Sequence, residues 1–429
     1  MSATLFRNAR LLDPASLRDE HGAVLVVDGT IAALGPDAGA DPPKNATIVD
    51  CGGRCLAPGI VDMRVQLREP GAEHMENMVS ASHAAAAGGV TTMAALPNTE
   101  PPIDDVALVD FVARRARDIG IVNIHTYAAA TKGLKGRELT EMGLLAEAGA
   151  LAFTDATTAI ADALVMRRAL SYARTFDLLV IQHPEEPSLT AGGAMNEGEM
   201  ATRLGLPGIS PAAEVMMVER DLRLVEITGA RYHVAHVSTA AAIEAIRGAK
   251  QRRLPVTCDT APPYFALNET AVGEYRTFAK LSPPLRSEWD RRAVVEGLRD
   301  GTIDAIASDH APHDQDSKRL PFASAASGII GLETLLPLSL ELYHNGHLPL
   351  ISLLRALTCA PADILRLPAG RLAVGAPADL VVFDLEHPWQ IAESGFRSKS
   401  KNSPFDGRPV QGSAVMTVVG GRVVYQAKD

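Results

Sequence analysis

Four side chains able to bind metals or move protons each close a short apolar run. They are Asp155 in ALAFTDA, His183 in LLVIQHPEE, His236 in RYHVAHVST and Asp309 in IDAIASDHAPH. Imidazole nitrogen and carboxylate oxygen suit zinc and its neighbours, and a catalytic zinc keeps about three protein ligands and an open position. A lone histidine on a strand is more often a hydrogen-bonded core residue, but four such residues on one rim would make a site. The string ASDHAPH (307–313) is the sharpest of these, a polar run directly behind a buried apolar strand. A further stretch, APGIVDMRVQLREPG (57–71), alternates apolar and polar residues, which puts Asp62, Arg64, Gln66 and Arg68 on one face of a strand. An arginine and a glutamine then point where a sheet usually buries something apolar or binds something.

The elements that must position these residues follow from the pattern. Eight short apolar runs recur with Ala/Leu/Arg-rich helical stretches between them: GIVDMRVQ, VTTMAALPN, VNIHTYAAA, ALAFTDA, LLVIQHPEE, RYHVAHVST, LPVTCDTAP and IDAIASDHAPH. This is the grammar of βα repeats, and eight of them predict an α/β fold, a (β/α)8 TIM barrel whose active site lies at the C-terminal mouth. An open doubly wound sheet would also alternate, but it would not place chargeable residues at so many strand ends. Before and after this region the runs are β-patterned and broken by Gly, Pro and Asp, as in AVLVVDGTIAALG and SAVMTVVGGRVVYQ. The expected domains are therefore residues 1–53 and 369–429, two parts of one small composite β-domain, and a barrel over 54–368.

Composition narrows the function. Of 429 residues 47% are hydrophobic, and the net charge is −10, with an isoelectric point near 5.7. That balance argues against nucleic acid or an anionic membrane as the main partner. The four cysteines form no CxxC pair, no apolar run reaches the 18 or so residues of a membrane span, and the N-terminus lacks the apolar core of a signal peptide. A reduced, cytoplasmic protein is expected.

A longer set of motifs carries a family resemblance. LREPG (67–71), ALPNTEPP (95–102), IQHPEE (181–186), MNEGE (195–199), GLPGISPAAE (205–214), HVAHVSTA (233–240), SPPLR (282–286), SDHAPH (308–313), GIIGLET (328–334) and KSKNSPFDG (399–407) occur in order over essentially the whole chain. In this the sequence resembles the bacterial class I dihydroorotases of the cyclic amidohydrolase superfamily. The resemblance implies interconversion of N-carbamoyl-L-aspartate and dihydroorotate in pyrimidine synthesis. It also implies roles. Asp155, His183 and His236 match metal ligands, and Asp309 matches the aspartate that touches the metal and shuttles the proton. Arg68, Asn98 and His313 match residues that hold the substrate, and Ser282 stands where a longer side chain, asparagine, usually binds the pyrimidine ring. A metal in such a site lowers the pKa of bound water and polarises the amide carbonyl.

The departures are as informative. Where the family has His-x-His on its first strand, this chain has Arg64-x-Gln66. Arginine stays protonated and has no lone pair for a metal, and glutamine is a weak neutral ligand. The inner metal position should therefore be empty, leaving one divalent metal, zinc by preference, or none. Ala156-Thr157 and Pro263-Tyr264 replace other family residues. The resulting expectation is a degenerate homologue, similar to the dihydroorotase-like non-catalytic subunit of aspartate carbamoyltransferase and oligomeric with that enzyme's catalytic subunit. An active enzyme with a single metal at Asp155, His183 and His236 is the alternative. A hydantoinase-like amidohydrolase fits less well, because Lys132 reads as a loop residue and not as a carboxylated metal bridge. Arg64 is expected to face the barrel mouth and pair with Asp155 or Asp309, since a buried guanidinium needs an anion to offset several kcal/mol of desolvation.

Overall fold

The computed structural model describes residues 2–427. Both ends of the chain build one sheet. Its strands are β1 (Ala3–Asp13), β2 (Arg18–Val27), β3 (Thr30–Gly35), β4 (Thr47–Asp50), β5 (Cys55–Pro58), β15 (Leu380–Gln390), β16 (Pro409–Val419) and β17 (Arg422–Gln426). They run in the order β17-β16-β15-β5-β1-β2-β3, with β4 paired to β1. The join between the two termini is the antiparallel ladder of β15 on β5, Leu380 opposite Pro58 through Phe383 opposite Cys55. Leu11, Val24, Leu56, Leu380 and Val418 close its apolar face.

The middle of the chain supplies parallel strands: β6 (Ile60–Val65), β7 (Val90–Ala95), β8 (Asn123–Thr126), β9 (Leu179–Gln182), β12 (Arg231–Val234), β13 (Val256–Thr260) and β14 (Ala305–Ile306). A separate two-residue pair, β10 (Met195–Asn196) and β11 (Gly208–Ile209), lies in the excursion between β9 and β12. The parallel strands form two sheets, β6-β7-β8 and β9-β12-β13-β14. The run ALAFTDA, expected to be a full strand, contributes a single bridging residue. Phe153 pairs with Ala128 beyond β8 and with Val180 of β9, while His310 pairs with Val65 at the other edge. The Phe153 amide donates to Leu179 and its carbonyl accepts from Ile181, both at 2.9 Å. The run is short because Asp155 and Ala156 turn the chain at once, Ala156 at φ 60°.

Helices pack outside these strands, and most begin with a side chain that satisfies the free N–H groups of the first turn. Asp105, Asp162, Thr239 and Ser287 cap the helices Val106–Ile119, Ala163–Thr175, Ala240–Gln251 and Glu288–Arg299, and Asn77 with Ser80 forms a capping box before Met78–Ala87. Between the strands, Ala94, Ala152, Ala235 and Ala307 pack in one cluster with Val61, Met63, Leu179, Ile181 and the ring of Tyr127. Its hydroxyl donates to the carbonyl of Met63 at 2.7 Å.

One feature of β6 departs from the sequence pattern. The register against β7 slips between Asp62 and Val65, so Met63 and Arg64 together stand opposite the one residue Ala94. A bulge of this kind re-aims side chains. Asp62 therefore does not share the face of Arg64 as simple alternation predicts. Its carboxylate accepts the amides of Arg64 (3.2 Å) and Ser308 (3.1 Å) and pins β6 to the segment after β14.

Phe153 carries the link between the two parallel sheets and is fully buried. Phe153→Ala should cost about 3–5 kcal/mol, read from the shift of the urea unfolding midpoint with the denaturant slope unchanged.

Candidate functional site

The C-terminal ends of the parallel strands converge on a cavity of about 300 Å³. Arg64, Gln66, Arg68, Asn98, His236, Ser282, Asp309 and His313 all line it, so most of the residues singled out in the sequence meet here. His183 lines an adjoining cavity of about 250 Å³, and the two spaces share Thr157, Leu281, Ser282 and Ser327. Asp155 and Asp62 line neither.

Asp309 is the centre of the constellation. Its Oδ1 accepts from Arg64 Nε at 2.8 Å, and its Oδ2 lies 2.9 Å from Nδ1 of His236. His236 Nε2 in turn lies 2.8 Å from Nδ1 of His183. His183 Nε2 then faces the Glu185 carboxylate at 3.2 Å and the Ser282 hydroxyl at 3.4 Å. The result is a continuous chain, Arg64–Asp309–His236–His183–Glu185. Arg64 is only 2% exposed, its Nη2 reaching the Ala156 carbonyl at 3.4 Å. Burial by itself would raise the Asp309 carboxyl. The His236 imidazole and the Arg64 guanidinium overcome it and hold Asp309 well below the usual carboxylate range. For His236, burial and then the charge of Arg64 push the pKa down.

The residues expected from the resemblance to hold substrate form a second group. Gln66 accepts from the Asn98 amide at 3.0 Å. Arg68 donates to the Pro312 carbonyl at 3.1 Å, and its Nη2 lies 3.4 Å from Nε2 of His313, which donates to the Ser327 carbonyl at 2.8 Å. Burial lowers Arg68 to about 10. Burial, then the charges of Arg68 and Lys318, push His313 to about 4, so it is neutral at pH 7. Gly328 closes this side at φ 126°, where an added Cβ would lie 2.7 Å from that of Ala311 and 3.2 Å from His313 Nε2. Four non-glycine residues around the mouth, Arg68, Ala156, His236 and Asp309, also hold positive φ. Such strain persists only where the surroundings over-determine it.

The expected ligand set does not assemble as a metal centre. Among the described residues no group of three or more His, Cys, Asp or Glu side chains is arranged to hold a metal ion. Asp155 is buried, which raises its pKa, and it accepts from the amide of Thr131 at 2.9 Å and from the Thr131 hydroxyl. All four ring nitrogens of His183 and His236 face hydrogen-bonding partners, and both Asp309 oxygens are engaged. As arranged, these residues do not fit a metal, because the donor atoms a cation would need are turned toward one another or toward Arg64.

Two further residues contribute: Asp259, one of the chargeable residues that the sequence places at the ends of the apolar runs, and Glu185, which the sequence reading did not single out. Glu185 is 5% exposed. Burial would raise its pKa, but the hydrogen bond and charge of His183 and the charge of Arg286 bring it to about 2. Its signal was position, two residues past His183 in the same polar run. Asp259 accepts the His236 amide at 2.7 Å and His233 Nε2 at 2.9 Å, fixing the backbone that presents His236.

Comparison with known proteins places these features in a family. Residues 53–242 match a family model described as dihydro-orotase-like, and residues 293–425 match one described as amidohydrolase family. The chain is 50% identical over 427 residues to a dihydroorotase of Anaplasma phagocytophilum (strain HZ), covering 98% of this chain and 95% of the relative. It is 47% identical to a dihydroorotase of Pelobacter propionicus, covering 98% and 99%. Among solved structures, the L-hydantoinase (dihydropyrimidinase) from Arthrobacter aurescens superposes with a TM-score of 0.88 at 27% identity, covering 100% of this chain and 97% of that chain. A dihydropyrimidinase from Brevibacillus agri at 22% identity and TM-score 0.86, covering 99% and 95%, shares the fold.

Two outcomes follow from this geometry. Arg64→Met should destabilise the protein by about 3–5 kcal/mol by leaving a buried carboxylate unpaired, and adding Asp309→Asn should recover a large part of that loss in a double-mutant cycle read by thermal unfolding. For His313, the folded state resists protonation down to about 4 while the unfolded chain takes the proton near 6.5. The unfolded state therefore binds more protons between these values. The stabilisation is complete above about 6.5 and is lost as pH falls toward about 4. His313→Asn should flatten the pH dependence of the unfolding free energy across that window.

Proposed function

The chain belongs to the dihydroorotase family of amidohydrolases, and we propose that it is a member whose metal chemistry has been displaced by an internal ion pair. Its ligands are N-carbamoyl-L-aspartate and dihydroorotate, bound between Arg68, Asn98 and His313, and its own turnover is absent or severely reduced. Its role is then that of a non-catalytic partner of the aspartate carbamoyltransferase catalytic subunit, within an oligomer. The observation that carries this reading is the Arg64–Asp309 contact at 2.8 Å. The guanidinium lies against the carboxylate expected to shuttle the proton, and a carboxylate held at such low pKa is a poor proton acceptor. The barrel is read as closed, with Phe153 and His310 bridging the two parallel sheets. The proposed division keeps the two termini as one β-domain and the middle of the chain as the barrel, with the first boundary moved from residue 53 to beyond β5, since Cys55–Pro58 pairs in the terminal sheet.

A single-metal dihydroorotase remains the second reading. The curated relatives with up to 50% identity bear that name, and Asp155, His183 and His236 are all retained. That reading requires both imidazoles and Asp155 to turn away from their present partners toward a zinc ion. The hydantoinase-like reading has the structural likeness in its favour, but Lys132 is half exposed and paired with Glu138.

Purified without chelator, the protein should carry at most one divalent metal per chain by elemental analysis and show little or no dihydroorotate hydrolysis. The Arg64→His, Gln66→His double variant should bind more metal than the parent. Robust hydrolysis by the parent with one metal per chain would overturn the degenerate reading in favour of the single-metal enzyme. Co-purification with an aspartate carbamoyltransferase, with a rise in that enzyme's activity or stability, is the expected result for the partner role.

A further inference from the structure

Arg64 and Gln66 stand at the two positions where the family resemblance expects histidine, yet their side chains go to different partners. Arg64 takes Asp309. Among the described residues, no hydrogen bond joins the Gln66 side chain to the run from Arg64 to Glu185. Its Oε1 accepts instead from Asn98 Nδ2 at 3.0 Å. The backbone on both sides of that bond is fixed. The Gln66 amide donates to the His310 carbonyl at 2.9 Å, and the amide of Leu96, two residues before Asn98, donates to the Val65 carbonyl at 2.9 Å. Gln66 is 6% exposed and Asn98 is partly buried, and both line the cavity of about 300 Å³. A side-chain amide offers two N–H donors and one carbonyl oxygen, and its own chemistry does not choose which of them faces the cavity. Among the described residues Gln66 is the one hydrogen-bonding partner of the Asn98 side chain. By accepting one N–H it sets the amide plane and leaves the second N–H and Oδ1 for the cavity.

We propose that Gln66 is a positioning residue for ligand binding, holding Asn98 so that its remaining N–H serves the same anionic group as Arg68. Arg68 lines the same cavity, is bonded to the Pro312 carbonyl, and pairs with no carboxylate among the described residues. An anion entering the cavity therefore meets a guanidinium and an oriented amide together. Without the Gln66 acceptor the ligand itself has to order the Asn98 side chain, and that ordering weakens binding. The two replacements thus have separate effects: Arg64 engages the carboxylate expected to shuttle the proton, and Gln66 engages a residue expected to hold the ligand. Gln66 acts through Asn98 and not on the reacting atoms. The inference rests on the family reading for the identity of the ligand, and it concerns binding, not turnover.

Isothermal titration calorimetry of the full chain with N-carbamoyl-L-aspartate tests it through a double-mutant cycle. In the parent, Asn98→Ala should weaken binding about tenfold, the size of one hydrogen bond to a charged group. Gln66→Met, similar in volume but without an acceptor, should weaken it about fivefold by loosening Asn98. In the Asn98→Ala background the same Gln66→Met change should cost less than about twofold, because the group it acts through is gone. Gln66→Glu keeps the acceptor, so Asn98→Ala should still cost about tenfold there, whatever the added charge does to the overall affinity. If Gln66→Met fails to fold, Gln66→Ala takes its place in the cycle. Losses that simply multiply in the double variant would overturn the inference, since Gln66 would then act by supporting the fold. A parent-like affinity in Gln66→Met would overturn it as well. Either result, with the parent binding N-carbamoyl-L-aspartate, leaves the family reading intact. No binding by the parent would overturn the ligand assignment itself, and this inference with it.

Discussion

A buried guanidinium has to have an anion, and most of the site's arrangement follows from that requirement. Arg64 is almost completely removed from water, and desolvating such a charge costs several kcal/mol unless a partner and hydrogen bonds offset it. Asp309 is that partner. Once one of its oxygens is fixed on Arg64, the other is left for His236, and His236 passes the alignment on to His183 and Glu185. One cation, on β6, thus orders a chain of side chains drawn from the segments after β9, β12 and β14. In a protein with histidines at positions 64 and 66, a metal could order the same groups. Here the ordering cation is covalently part of the chain.

The scaffold supports this with strain and with reach. Positive φ at Arg68, Ala156, His236 and Asp309 turns each chain segment sharply at the mouth of the strands, and surrounding contacts hold it there. Asp259 grips the His236 amide, and Asp62 grips that of Ser308. The C-terminal region takes part as well. Asn402 accepts the His313 amide at 3.2 Å and donates to the carbonyls of Ala311 and Gly328 at 3.0 and 3.1 Å. Ser398 and Glu76 are linked directly, while Glu76 Oε2 lies 3.6 Å from His310. The segment leading into β16 therefore supports the backbone around His313 and the side chains beside His310.

Likeness at the level of fold spans hydantoinases, dihydropyrimidinases and this chain alike, so the architecture alone does not choose among cyclic amides. The side chains singled out in the sequence gather at the mouth of the strands. Arg68, Asn98 and His313 line one cavity together with Arg64 and its partner Asp309, and Glu185 lines the adjoining one.

The sequence by itself determined the order of elements and the positions of the strand ends. Periodicity and turn residues are local properties, and seven of the eight predicted runs became strands while both termini joined one sheet. It also determined that Arg64 needed a carboxylate, because the cost of burying a charge does not depend on the details of the fold. Tertiary structure decided the rest. The bulge between Asp62 and Val65, set by packing against β7, separates Asp62 from the face of Arg64. The run around Phe153 is too short for a ladder of its own and survives only as a bridge between two sheets. Asp155, which has the right residue type and lies at the expected strand end, is bonded to Thr131. Which of two carboxylates receives a guanidinium depends on directions and distances of a few ångströms between segments hundreds of residues apart, and spacing along a chain does not encode them.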